Sequence, residues 1–159
     1  QYTGLYNHTV GATYSVGEYW DGDAAKVKNW INGTKYDNVI QSAAFDFPMK
    51  YAINDALGNG KWNRLAESSL TNDAAYSRYS VTFVDNHDTG RSSESGGAPL
   101  YANVTAANAY ILAMPGTPCV FLSHWKAHKT IINYKKFYYK NKGLKGFKTC
   151  QNILFVRLL

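Results

Sequence analysis

Residues 80–90 read SVTFVDNHDTG. The first half, Val81-Thr82-Phe83-Val84, is β-branched and aromatic and carries no charge, the pattern of a short strand buried on both faces. The second half, Asp85-Asn86-His87-Asp88-Thr89, is polar throughout. A strand that delivers ionisable groups from its C-terminal end is how parallel α/β enzymes assemble their sites. Asp and Asn are also common turn formers, so the strand pattern alone is equally compatible with an ordinary turn.

On either side of this stretch the chain alternates between short apolar runs and helical patterns. Tyr14-Ser15-Val16-Gly17 predicts a strand with Glu18 at its end. Asp21 or Asp23 can cap a helix over 24–32, where Val27, Trp30 and Ile31 recur at helical spacing. Residues 39–47 predict a strand with Pro48 at its exit. Residues 51–57 predict a helix stopped by Gly58-Asn59-Gly60, and about 62–70 a further helix. Beyond Thr89, residues 90–99 read as a polar, Gly-rich loop. Residues 102–114 form an Ala-rich helical pattern broken by Pro115-Gly116. Val120-Phe121-Leu122 is the last predicted strand, with Ser123-His124-Trp125 as its polar exit. The first thirteen residues are polar and Gly-containing and predict a loop.

Successive strand ends fall about 28, 39 and 35 residues apart, close to the roughly 31 residues per unit of a (β/α)8 barrel. A doubly wound sheet fits the same spacing, so the fold class from pattern alone is α/β, with either architecture open. The chain's 159 residues suffice for one ordinary domain, and 45% hydrophobic with 15% aromatic residues supports a packed core. The aromatics are mostly Tyr, 13 in number, a residue suited to half-buried polar surfaces and to sugar binding. No window approaches the apolar length of a membrane span, and no CxxC or HExxH spacing suggests a metal. Cys119 falls in an apolar run, where a thiol behaves as a small hydrophobe; Cys150 neither requires nor excludes a disulfide with it.

FVDNHDTG (83–90) closely resembles the last signature of the α-amylase family, glycoside hydrolase family 13. VGEYWDG (16–22) resembles that family's general-acid segment. AFDFPMKYAINDAL (44–57) and MPGTPCVFLSHW (114–125) are similar to its sixth and eighth barrel strands. The four matches occur in the family's order over roughly residues 11–130. The resemblance implies a partial (β/α)8 TIM barrel, approximately strand–helix units five to eight, with the remaining units upstream of Gln1. Residues 1–130 are then the C-terminal half of the catalytic barrel.

The resemblance also implies roles. Hydrolysis of a glycosidic bond takes two carboxyl groups on opposite sides of the anomeric carbon. Glu18 matches the acid/base, which protonates the leaving oxygen and then deprotonates the attacking water. It must be protonated when it first acts, a state that burial and neighbouring carboxylates favour. Asp88 matches the residue that binds sugar hydroxyls and stabilises the oxocarbenium-like transition state, and His87 the neighbouring sugar-binding His. Trp20, Tyr19 and Trp125 are candidate sugar-stacking platforms or rim packing, with Trp20 the substrate-binding candidate. Asp85 and Asn86 read as turn residues that support their neighbours. The family's nucleophile lies in a GFRxD-like segment, and nothing before Glu18 matches it. The implied parent activity is retaining hydrolysis of α-1,4-glucosidic bonds in starch- or glycogen-type glucans. This chain by itself is expected to be inactive. A transglycosylase of the same family and a non-catalytic glucan- or partner-binding half barrel are the alternatives. No cofactor or metal is expected in this chain, although the parent enzyme can carry calcium. The expected partner is an α-glucan polysaccharide or oligosaccharide, with no nucleic acid and no membrane, and the substrate class implies secretion. A half barrel leaves its outermost strands unpaired, which predicts poor solubility or dimerisation.

The net charge of +6 is unevenly placed. All 11 acidic residues lie at or before Glu94, whereas Lys and Arg recur without any acid from Lys126 onward. Residues 131–159 form a basic tail. Its beginning can continue an eighth helix, as far as Tyr139, before sequence unlike the family begins at Lys140. Out-of-frame translation of an AT-rich gene from somewhere after Lys129 would give this composition; a genuine basic tail for an anionic partner is the rival reading.

Overall fold

The structure, a computed structural model, describes residues 2–128. Four strands form one sheet: β1 (Val16–Gly17), β2 (Ala43–Phe45), β3 (Ser80–Phe83) and β4 (Thr117–Cys119). All three pairings are parallel, and the spatial order is the chain order, β1-β2-β3-β4. A doubly wound sheet reverses its strand order at a switch point, and these four strands show no reversal. The architecture of the described residues is α/β with a parallel sheet in chain order, consistent with a partial (β/α)8 barrel.

Each crossover carries helix. After β1 comes α2 (Ala24–Gly33), for which Asp23 is the N-cap, accepting from the Ala25 amide at 2.8 Å. Its buried stripe of Val27 and Ile31 packs on Ala44 of β2 and on Leu70. After β2 comes α3 (Phe47–Ile53), capped by Asp46 and continued by a π-helical turn over Asn54–Gly58. After β3 comes α4 (Val104–Ala113), whose Ala107 and Ile111 meet Met49, Ile53 and Val84. The opposite face of the sheet carries Phe45, Val81, Phe83 and Cys119, with Phe45 and Phe83 edge to face at 5.3 Å.

Several boundaries differ from the sequence expectations, each for a local reason. Residues 2–9 are helical (α1, Tyr2–Thr9) rather than a loop. This helix has no apolar stripe; it docks through Gly4, where a Cβ would meet the Thr34 carbonyl oxygen at 2.1 Å, and through Asn7, whose amide donates to the Gln41 carbonyl at 3.1 Å. The strand expected over 39–47 is only Ala43–Phe45. Asp37 and Asn38 both have positive φ and close a two-residue hairpin in which Tyr36 and Val39 exchange backbone hydrogen bonds, and Asp46 already caps α3. The helix expected over about 62–70 is one 3-10 segment, Trp62–Ala66. Beyond it the Asn72 amide takes the Leu65 and Glu67 carbonyls, and the Thr71 amide donates to buried Asp46. The last strand is Thr117–Cys119, ahead of the expected 120–122, because the β3 partner ends at Phe83, opposite Cys119. Residues 122–128 are helical, so Ser123, His124 and Trp125 lie on a helix rather than in an exit loop. The basic tail (131–159) lies outside the described residues.

Gly17 sets the height of β1 against α2. A Cβ there would fall 1.9 Å from the Trp30 ring. Gly17→Ala is therefore expected to lower stability by about 1–3 kcal/mol, the usual cost of overpacking. Urea denaturation measures it. With Trp30→Leu in the background, the Gly17→Ala penalty should shrink; an equal penalty in both backgrounds would show that the ring is not the obstacle.

Candidate active site

The C-terminal ends of β1 and β3, with the turn that follows β4, surround a cleft of about 160 Å³. Phe45, Phe83 and Cys119 form its apolar floor, and Glu18, Asn86 and His87 are polar groups on its wall. A cavity this small is below the 300–1,000 Å³ of pockets that enclose drug-sized ligands. An oligosaccharide would have to lie across its mouth.

Glu18 follows β1 directly, and its side chain is reached from 68 positions away: the Asn86 amide donates to Glu18 Oε1 at 3.1 Å. Two sequence signatures thus meet at one cleft. Glu18 itself is exposed, so the burial expected of it is absent. Asn86 also organises its own turn. Its Oδ1 accepts the Asp88 and Thr89 amides at 3.0 and 2.7 Å, and its carbonyl accepts Gly90 N–H at 2.9 Å. Thr89 Oγ1 accepts the Asn86 amide in return, at 3.0 Å.

The remaining candidates are placed less simply. His87 lines the cleft with its side chain half exposed. Asp88 is not on the cleft wall. Its Oδ1 is held by Arg91 Nη2 at 2.5 Å, and its Oδ2 lies 3.3 Å from His87 Nε2. Trp20 is also off the cleft: it stacks on Phe47 with centroids 5.1 Å apart, and its indole N–H donates to the Tyr51 hydroxyl at 2.7 Å. It nevertheless keeps 49% of its surface exposed. Tyr19 packs with Trp30 against the core beneath α2, not over the cleft.

Two residues without an assigned place in the sequence reading, Lys50 and His124, converge below the cleft on Asp85. Lys50 and Asp85 are both fully buried and pair at 3.1 Å. Asp85 accepts from four separate segments: Lys50 of α3, the Thr89 hydroxyl at 3.1 Å, the Leu100 amide at 3.1 Å, and His124 Nε2 at 3.4 Å. Lys50 also donates to the Ala98 carbonyl at 3.2 Å. The Asn108 amide, which donates to the Val104 carbonyl, faces His124 Nδ1 at 3.3 Å. Burial pushes the Asp85 carboxyl up, but His124, the Lys50 charge and the Leu100 amide outweigh it and hold it below the usual carboxylate range. Burial pushes the Lys50 ammonium down, and Asp85 offsets only some of that. The one signal for this pair in the sequence is a lysine inside the otherwise apolar run FPMKYAI. Among the described residues, no group of three or more His, Cys, Asp or Glu side chains could hold a metal ion, and no helix is long and apolar enough to cross a membrane.

Comparison with known proteins finds a match to the family described as alpha amylase, catalytic domain, over residues 1–141. A probable alpha-amylase 2 of Arabidopsis thaliana is 33% identical over 129 residues, 70% of this chain and 30% of that protein. A glucan 1,4-alpha-maltotetraohydrolase of Roseateles saccharophilus is 33% identical over 132 residues, 73% of this chain and 23% of that protein. An alpha-amylase of Geobacillus stearothermophilus is 35% identical over 117 residues, 68% and 19% of the two chains. The chain thus spans a third or less of the length of these relatives.

Because the Asp85 carboxyl is held below its unfolded-state value of about 3.9, the stabilisation it contributes is fully present above that pH. It is lost as pH falls through the lower folded-state value. Asp85→Asn removes this pH-dependent component and leaves Lys50 buried without its counter-ion, costing about 3–5 kcal/mol at neutral pH. Thermal melts between pH 7 and pH 3 should show the wild type losing stability more steeply than the variant below about pH 4. Parallel curves would show that Asp85 does not titrate with folding.

Proposed function

The chain belongs to the alpha-amylase family of glycoside hydrolases, and on that footing we propose that it carries the acid/base half of a retaining α-glucan hydrolase site, in strand–helix units five to eight of the barrel. The observation that supports this most directly is the Asn86–Glu18 hydrogen bond, which joins the two signature segments at one cleft.

In this reading a glucan lies across the cleft mouth. Glu18 protonates the leaving glycosidic oxygen and later takes a proton from the attacking water. His87 hydrogen-bonds the sugar on the opposite wall. Asp88 exchanges one of its present partners, Arg91 or His87, for sugar hydroxyls. Trp20, half exposed on its Phe47 support, offers an aromatic surface further out along the glucan. A retaining mechanism needs a second carboxylate about 5–5.5 Å from the acid/base to act as nucleophile. Of the two Asp/Glu side chains on the cleft wall, Asp85 has both oxygens occupied and lies beneath the surface. Glu18 is the only one of them exposed at the mouth, which favours glucan binding without turnover by this chain alone. Transfer to a sugar hydroxyl in place of water uses the same acid/base and remains the alternative for the whole protein, and its secretion is proposed from the substrate class alone.

Titration of the full chain with maltoheptaose, followed by NMR, tests the reading. Binding is expected, weakened about tenfold by His87→Ala, which removes a sugar hydrogen bond, and no reducing sugar should be released from soluble starch. Absence of binding would overturn the glucan reading. Release that is abolished by Glu18→Gln would overturn only the claim that this chain is inactive alone.

A further inference from the structure

We propose that Thr89 is a positioning residue: its hydroxyl transmits the placement of the buried Lys50–Asp85 pair to the Asn86–His87–Asp88 turn and so fixes Asn86 against Glu18. The proposal rests on the reading of that turn as one edge of a glucan site.

Thr89 is 2% exposed, and no solvent competes for its hydroxyl. Oγ1 makes two bonds of opposite sense, donating to Asp85 Oδ1 at 3.1 Å and accepting the Asn86 amide at 3.0 Å. Asp85, ionised and already receiving other donors, can only accept, so the hydroxyl proton has one direction to point. The acceptor lone pairs are then left for Asn86 N–H. Two further bonds complete the unit: Asn86 Oδ1 accepts the Thr89 backbone amide at 2.7 Å, and the Thr89 carbonyl accepts Ala98 N–H at 3.0 Å. A rigid path therefore runs from Lys50 through Asp85 and Thr89 to Asn86, and from Asn86 Nδ2 to Glu18. Valine has the shape of threonine but can make neither of the two side-chain bonds. Serine can make both.

The test compares Thr89→Val and Thr89→Ser in the full chain, by maltoheptaose titration and by amide hydrogen exchange. Thr89→Val should weaken binding about tenfold and speed exchange of the Asp88 and Thr89 amides by a similar factor, the scale of one buried hydrogen bond. Thr89→Ser should stay close to the wild type in both, and the amides of α2 should be unchanged in either variant. The proposal falls if Thr89→Val retains wild-type binding and exchange, or if Thr89→Ser loses as much as Thr89→Val. If the wild type itself does not bind maltoheptaose, the glucan reading fails, and the exchange comparison alone decides the role of Thr89. Should Thr89→Val not fold, Thr89→Ala is read in its place against Thr89→Ser.

Discussion

A single buried carboxylate holds the functional end of this molecule together. Asp85 gathers donors from α3, from both ends of the loop after β3, and from the helical segment beyond β4. A charge taken out of water is tolerable only when it is paired and its remaining lone pairs are filled. Here Lys50 supplies the charge and three further donors fill the rest. The geometry is therefore self-consistent in one arrangement: move α3 and the charge is left unpaired, move any of the other three segments and a buried lone pair goes unfilled. Asp46 has a similar role at the preceding strand, capping α3 while taking the Thr71 amide and the Ser80 hydroxyl. Two buried aspartates at successive strand ends thus convert a parallel sheet into a platform of fixed shape.

The fold was largely legible because its signals were periodic. Val27 and Ile31 at helical spacing, with Asp23 ahead of them, place α2; the uncharged run at Val81–Phe83 places β3. The failures occurred where tertiary contacts replaced periodicity. Residues 2–9 form a helix whose docking depends on a missing side chain at Gly4 and an amide at Asn7, neither of which leaves an apolar stripe to read. In 62–66 the helical pattern is cut short because Asn72 and Asp46 bind the backbone just beyond it. The parallel order β1-β2-β3-β4 involves pairings some thirty residues apart that spacing alone does not specify.

The site was legible in its membership more than in its wiring. Glu18 and His87 both reach the cleft, but Asp88 turns to Arg91 and Trp20 rests on Phe47. Asn86, read from sequence as a supporting turn residue, is the group that touches Glu18. Nothing local could have announced this, since the two residues belong to different strand ends. Lys50 left a trace, an isolated cation in an apolar helix, but its partner could be named only once α3 and β3 were adjacent.

The loop after Thr89 has a further property. Its two ends are tied by the Thr89–Ala98 backbone bond and by the shared attachment to Asp85, so the residues between hang from a closed neck. Within it, Gly97 lies so close to the Arg91 backbone that a Cβ would meet its carbonyl oxygen at 2.0 Å. Residues 93–96 form a small turn closed by the Gly97 amide on the Ser92 carbonyl at 3.0 Å, beyond the neck, and lengthening such a closed loop adds only slowly to its closure entropy. Inserted sequence is expected to cost least in this turn, as an interchangeable cassette, because the ties that hold the cleft residues lie on the other side of the neck.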